Sequence, residues 1–303
     1  AKPRVAISGL MPMRFCWLVV ACSLLLTAGS APEPAPTGWQ LVVLGIAQDG
    51  GMPHPGCTKP PCSDVYAGKR RAEKVSCIGL VNRDTGTAFM IDATPDFPEQ
   101  LNALTGGKVP AGIFLTHGHI GHYTGLMYLG KEAMATSHVP VYGTRRMVWF
   151  LRKNAPWSAL VHDERIDLHV LTPDEAVEMS RGLRITPLLV PHRDEFTDTV
   201  GYLIEGPRAK VLFIPDIDKW SKWNRDLRTL AGQVDVLLVD GTFSSVDELP
   251  GRDITQIPHP LMTETRALLA GTRAKLWFIH LNHSNPALID GNDVAREGMT
   301  FDL

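Results

Sequence analysis

Three histidines stand together in Leu115-Thr116-His117-Gly118-His119-Ile120-Gly121-His122, directly after an apolar segment. Residues i and i+2 project to one side of an extended chain, so His117 and His119 share a face. His119 and His122 lie three apart and meet again once a helix starts. Gly118 and Gly121 remove side chains where the backbone must bend. Neutral imidazole is a common ligand for zinc and other first-row metals, and H-x-H-x-x-H can bring three to one point. The bland alternative is a His-rich turn after a strand. The spacing favours the metal, because it is what a metal site requires.

Three more polar residues end apolar runs in the same way. His192 follows Leu188-Leu189-Val190-Pro191, Asp216 follows Val211-Leu212-Phe213-Ile214-Pro215, and His280 follows Leu276-Trp277-Phe278-Ile279. Singly, a histidine at a strand end is more often a capped or exposed polar residue. Together with the histidine triplet they describe a centre able to hold two metals, since ligands on rigid strand ends are pre-organised. His259, in Ile257-Pro258-His259-Pro260, is a candidate general acid; a loop histidine between two prolines is the equal alternative. Cys57 and Cys62 form a C-x4-C knuckle in a turn-rich loop. A Cys57–Cys62 disulfide, a structural zinc shared with His54 or Cys77, and free thiols compete there. The disulfide fits an exported chain best.

The elements that must position these residues follow from the apolar runs. Strands are expected at 40–45, 77–81, 88–91, 112–115, 139–142, 166–171, 183–190, 200–204, 211–214, 234–239 and 275–279. Helices are expected at 124–131, 144–154, 219–230 and 261–269, the third with Trp220, Trp223 and Leu227 on one face. Strands dominate the first half and strand–helix alternation marks the second, which reads as one α/β domain. Apolar residues make up 44% and charged residues 20%, which excludes wholesale disorder. Lys and Arg total 30 against 32 Asp and Glu, for a net charge of -2, so nothing points to a nucleic-acid partner.

The uncharged run 15–27 (FCWLVVACSLLLT) follows Arg14 and precedes Ala28-Gly29-Ser30 and a Pro-rich stretch. That is the order of a secretory signal. The run is short for a span of ~20 residues, and an uncleaved anchor is the alternative. Val19-Val20-Ala21-Cys22 also resembles a lipobox, so a lipid anchor at Cys22 is a second alternative. Residues 1–36 are therefore expected to be leader and Pro-rich segment, with the folded domain at 37–303. The mature chain is expected in the periplasm or secreted, without a membrane span.

The order H-x-H-x-x-H, His, Asp, His on strand ends resembles the metallo-β-lactamase-fold hydrolases. Within them the chain is similar to the branch of the PQQ-biosynthesis protein B. The matching stretches are 44–57 (LGIAQDGGMPHPGC), 91–100 (IDATPDFPEQ), 122–126 (HYTGL), 191–202 (PHRDEFTDTVGY), 240–243 (DGTF) and 279–286 (IHLNHSNP). The resemblance implies an αβ/βα sandwich, a four-layer α+β arrangement. It implies that His117, His119 and His192 hold a first metal, that Asp216 bridges two metals, and that His122 and His280 serve the second. It puts Asp92 and Asp240 behind the ligands, where such acids orient ligating histidines. The family motif is H-x-H-x-D-H, and here Gly121 stands where that Asp belongs. Glycine cannot ligate. The second site then keeps His122, Asp216 and His280, with His283 as a substitute, and one tight metal with a weaker or absent second is expected.

The chemistry favoured by these residues is metal-assisted hydrolysis of a small molecule. Zinc would lower the pKa of its bound water from 15.7 to ~7. The hydroxide would attack an ester, lactone, lactam or phosphodiester, with Asp216 orienting it and His259 protonating the leaving group. A His/carboxylate site with open positions also suits Fe2+ and O2, as in the hydroxylase chemistry ascribed to the PQQ protein. A non-catalytic metal-binding protein is the third reading, prompted by Gly121.

Overall fold

The computed structural model describes residues 38–303, so the expected leader and lipobox lie outside the described residues. Among the described residues, thirteen strands form two mixed sheets. The first sheet is built from β1 (Trp39–Gly45), β2 (Cys77–Asn82), β3 (Ala88–Ile91), β4 (Gly112–Phe114), β5 (Val139–Thr144) and β6 (Ile166–Leu171). The second comprises β7 (Val177–Glu178), β8 (Arg184–Val190), β9 (Thr199–Glu205), β10 (Lys210–Ile214), β11 (Val236–Asp240) and β12 (Lys275–Ile279). The last strand, β13 (Thr300–Asp302), returns to pair with β1, giving the orders β13-β1-β2-β3-β4-β5-β6 and β12-β11-β10-β9-β8-β7. Each sheet is antiparallel on one side and parallel on the other. β3 through β6 run parallel in the first sheet, and β10 through β12 in the second.

Side-chain alternation explains the layers. Leu41, Val43, Ile78, Leu80, Phe89, Ile91 and Phe114 face a core shared with Ile185, Val200, Tyr202, Ile204, Val211 and Phe213 of the second sheet. Met90, Ile113, Val139 and Val141 point the other way, onto Phe97, Leu101, Leu126, Met147 and Leu151. These come from helices Phe97–Thr105 and Arg145–Lys153 and the 3-10 turn Thr124–Leu129. On the far side of the second sheet, Leu227 and Met262 of helices Leu227–Ala231 and Met262–Leu269 join the same contiguous apolar cluster. Helix, sheet, sheet and helix make the expected α/β sandwich. Each large apolar side chain so buried contributes about 1.5–3 kcal/mol.

Two expected helices differ. The segment 219–230 is broken into a 3-10 turn, Trp220–Lys222, and the helix Leu227–Ala231. Asp226 is the cause: its side chain accepts from Thr229 N and starts a new helix, so the old one cannot run through. Trp220 and Trp223 do not line a helix face. Their indoles donate to Thr265 Oγ1 (2.8 Å) and Leu189 O (2.7 Å). Within 124–131 only Thr124–Leu129 is helical, as a 3-10 turn, preceded by the short helix Ile120–Tyr123. Gly125 fits under this turn because a side chain there would meet Thr94 O at 2.2 Å.

Parallel register is what gathers the site. Ile214 pairs with Val239, and Asp240 with Ile279, so Asp216, Asp240 and His280 leave the sheet at one edge. Ile91 pairs with Phe114, which does the same for Asp92 and His117. Tyr202, fully buried between the sheets, donates from its hydroxyl to Leu115 O at 2.6 Å and ties β9 to the approach to His117. Tyr202→Phe leaves that carbonyl without its partner. It is expected to lower stability by about 1–3 kcal/mol, read from the midpoint of urea unfolding.

Candidate metal centre

Thr116 organises the end of β4. Its backbone N and its hydroxyl both donate to Asp92 Oδ1, at 2.8 and 3.0 Å, and its hydroxyl lies 3.0 Å from His117 Nδ1. That leaves His117 Nε2 facing Asp216 Oδ2 at 3.4 Å. Asp92 also holds His122, with Nδ1 2.7 Å from its Oδ2, so the opposite nitrogen of His122 points away from the acid. Asp92 and His280 adopt left-handed backbone conformations, φ 72° and 64°, which cost energy for residues other than glycine. His280 is held there by Thr242, whose hydroxyl is 3.0 Å from His280 Nδ1 and 3.1 Å from its carbonyl oxygen.

Asp216 sits at the centre. Its Oδ2 lies 3.2 Å from His192 Nε2, 3.4 Å from His117 Nε2 and 3.8 Å from His280 Nε2. His119 turns Nδ1 toward His117 Nε2 (2.8 Å) and Nε2 toward Glu195 Oε2 (3.0 Å). His117, His119, His192 and Asp216 therefore form one donor set, with all ligand atoms within 4.8 Å of one another. A second set contains His122 and His280, and a carboxylate completes it: Asp49, on the loop after β1. Its Oδ1 lies 3.2 Å from His122 Nε2 and 3.5 Å from His280 Nε2. The expectation that Gly121 deprives His122 and His280 of such a partner is thus corrected.

These residues fit a metal. His122 Nε2, His192 Nε2, His280 Nε2, Asp49 Oδ1 and Asp216 Oδ1 are all buried without a hydrogen-bond partner. Orphaned buried polar atoms are costly, and here they converge. Ligand bonds of ~2.1 Å in a tetrahedron set donors about 3.4 Å apart. The separations around Asp216 Oδ2 and Asp49 Oδ1 run from 3.2 to 3.8 Å. At the first donor set the electrostatics agrees. Burial, with the neighbouring His122 charge, keeps His117 well below the usual imidazole range, which favours the neutral ligating form. Burial opposes the Asp216 carboxylate, but His192, His280 and His259 outweigh it and hold it well below the usual range. Burial likewise opposes a charge on His122, and Asp92 and Asp49 override it and push its pKa well up.

His259 is nearly fully buried. Its Nδ1 is 2.9 Å from Asp240 Oδ2 and 3.4 Å from Asp216 Oδ1, and Asp240 accepts in turn from Ile217 N and Thr242 N. Burial works against its charge, yet the two carboxylates push its pKa up to about 8.

Two expected roles are not met. His283 does not join the second set. Its ring packs on His54 with centroids 4.3 Å apart, and it gathers with Cys57 and Cys62 within 4.8 Å. Cys57 and Cys62 do not form a disulfide; both are free, and His54 N donates to Cys62 Sγ at 3.2 Å. Cys77 is buried apart from them, its thiol 3.5 Å from Asp92 O. Asp49, Glu195, Thr116 and Thr242 are the site residues that sequence reasoning missed.

The sequence matches the family described as "Beta-lactamase superfamily domain" over residues 87–281, and the chain belongs to that superfamily. It is 27% identical over 307 residues to a coenzyme PQQ synthesis protein B of Methylobacterium sp. (strain 4-46), covering 87% of this chain and 100% of that one. Its structure is similar to that of Zn(2+)-bound PqqB from Methylobacterium extorquens, with a TM-score of 0.74 and 25% identity over 87% of this chain and 100% of that one. A diphosphatase of the PhnP family shares the fold, with a TM-score of 0.65 and 21% identity over 87% and 96% of the two chains. Among the described residues, no helix is long and apolar enough to cross a membrane.

Glu195 orients His119 by its far nitrogen, as carboxylates behind metal ligands do. Glu195→Gln is expected to weaken zinc affinity of the first donor set about 10–100-fold, measured by competition with a chelating dye.

Proposed function

We propose that the chain is an exported zinc-dependent hydrolase that cleaves an ester, lactone, lactam or phosphodiester bond of a small molecule. One observation carries the reading: donor atoms of five histidines and two carboxylates, several of them buried and unpartnered, converge at ligand spacing around Asp216 and Asp49. His117, His119, His192 and Asp216 would hold one ion, and Asp216 reaches toward the second set at His280. A zinc ion held by these residues would activate water at neutral pH and would polarise the bond under attack. The similarity to a zinc-bound PqqB supports that choice of ion.

The protein's own groups do the rest. Asp92 and Thr116 fix the rings of His117 and His122 from behind, and Glu195 fixes His119. Asp240 anchors His259, which keeps a proton beside Asp216 and donates it to the leaving group. Cys57, Cys62 and His283, with His54 beside them, would bind a structural metal through donors separate from both histidine sets. The apolar run after Arg14 supports export to the periplasm or beyond.

His119→Ala is expected to abolish both zinc uptake by the first donor set and turnover on a panel of ester, lactone, lactam and phosphodiester substrates. Iron in anaerobically purified protein, with O2 consumption and no hydrolysis, would overturn the hydrolase reading in favour of oxidation. His259→Asn is expected to lower kcat about 10²–10⁴-fold with metal content unchanged. The loss should shrink for substrates whose leaving group needs no proton, such as p-nitrophenyl esters. An equal loss on both substrate types would remove His259 as the acid.

A further inference from the structure

The second donor set contains a carboxylate from outside the histidine motif, and the geometry of Gly121 shows why. A Cβ built on Gly121 would lie 2.5 Å from Asp49 Oδ1, 2.8 Å from Asp49 Cγ and 2.7 Å from Asp49 Cα. Real Cβ atoms do not approach other heavy atoms so closely. The space that a side chain at 121 would enter is therefore filled, and filled by a carboxylate. We infer that Asp49 is a direct ligand of the second metal, replacing the Asp of H-x-H-x-D-H from a different part of the chain, and that position 121 is glycine to admit it. This inference rests on the metal-centre reading above.

Asp49 is held in position by backbone pairing rather than by chance. Gln48 N donates to Leu281 O at 2.9 Å, and Leu281 N donates to Ile46 O at 2.8 Å. Leu281 directly follows His280, so the loop after β1 and the end of β12 are locked in register, and Asp49 and His280 are locked with them. On the other side Ala47 N donates to Lys74 O and Ser76 N to Ala47 O, both at 2.8 Å. Gly51, at φ 67°, then turns the chain away, with its N donating to Gln48 O at 2.6 Å. The carboxylate Oδ1 that faces His122 and His280 is buried without a hydrogen bond, as are the two imidazole nitrogens opposite it. Lone pairs so directed suit a cation shared between them. Two imidazoles with carboxylate oxygen suit zinc, and iron or manganese less selectively.

The inference reverses the expected effect of restoring the motif. If the native site were simply degraded, Gly121→Asp would strengthen the second metal. If Asp49 fills the role, Gly121→Asp collides with it and weakens binding.

The test is metal uptake by the full chain. Chelator-stripped wild type, Asp49→Ala, Asp49→Asn, Gly121→Ala and Gly121→Asp would be titrated with Zn2+ and counted by elemental analysis after desalting. Co2+ absorption would follow the same equivalents independently of activity. Asp49→Ala and Asp49→Asn are expected to bind one ion fewer than wild type, or to bind it at least about tenfold more weakly, with the first equivalent unchanged. Gly121→Ala and Gly121→Asp should weaken the same equivalent. Far-ultraviolet circular dichroism of the stripped variants separates this from misfolding, and Asp49→Asn keeps the shape of the side chain if Asp49→Ala fails to fold. Uptake by both Asp49 variants equal to wild type in number and affinity would overturn the inference, as would stronger second-ion binding by Gly121→Asp. Wild type that takes no more metal than His119→Ala would instead overturn the underlying metal-centre reading.

Discussion

A carboxylate buried among imidazoles is the constraint around which the rest of the fold is arranged. Asp216 is 3% exposed, and a charge so placed is costly unless compensated. Compensation comes from His117, His192, His259 and His280, each within 3.2 to 3.8 Å and each from a separate part of the chain. No local element could supply them. Only strands with aligned ends can, and the parallel registers β3–β4 and β10–β11–β12 align them. A one-residue slip in the β10–β11–β12 ladders would turn Asp216 or His280 to the opposite face, and one in β3–β4 would do so for Asp92 or His117. The apolar core between the sheets is thus also what specifies the site, because it sets the register.

The site stores strain at two of its corners. Asp92 and His280 hold left-handed backbones that ordinary residues avoid. Both are over-determined by hydrogen bonds: Asp92 receives two from Thr116 and faces His122, while Thr242 grips His280 at ring and carbonyl. A threonine hydroxyl beside an Nδ1 recurs on both sheets. It fixes which imidazole nitrogen is turned toward the centre, and a histidine with two free nitrogens would not be so committed.

Much of this was legible in the sequence for a definite reason. A buried strand announces itself as an apolar run, and a polar residue at its end has few reasons to be there. His117, His192, Asp216 and His280 were found that way, and the strands that carry them lie within a few residues of expectation. Asp49 was not legible. It sits in Gln48-Asp49-Gly50-Gly51, and such a string reads as a turn, in which aspartate is ordinary. Glu195 was hidden likewise in the charged loop Arg193-Asp194-Glu195. Their roles depend on what lies across the sheet edge, a long-range fact that no local period encodes. Gly121 misled for the same reason: the missing side chain was visible, and the group that fills its space was not.

The two donor sets share one property. His117, His119, His122 and Asp49 hang from the first sheet, while His192, Asp216 and His280 hang from the second. Each set draws on both. An ion held by either is therefore a cross-link between the layers of the sandwich, placed at the edge where the shared core stops. Its binding free energy adds to folding free energy, because the unfolded chain offers no such convergence. The second set adds a further tie, since Asp49 belongs to the loop that leads on to His54, Cys57 and Cys62. That loop is otherwise fixed to the sheet edge by backbone pairs at Ala47, Gln48 and Met52. A ligand drawn from it, instead of from the histidine helix, makes the loop after β1 part of the metal centre. The motif loses an aspartate at 121 and the fold recovers the charge from the opposite side, at the cost of making that loop indispensable to the site.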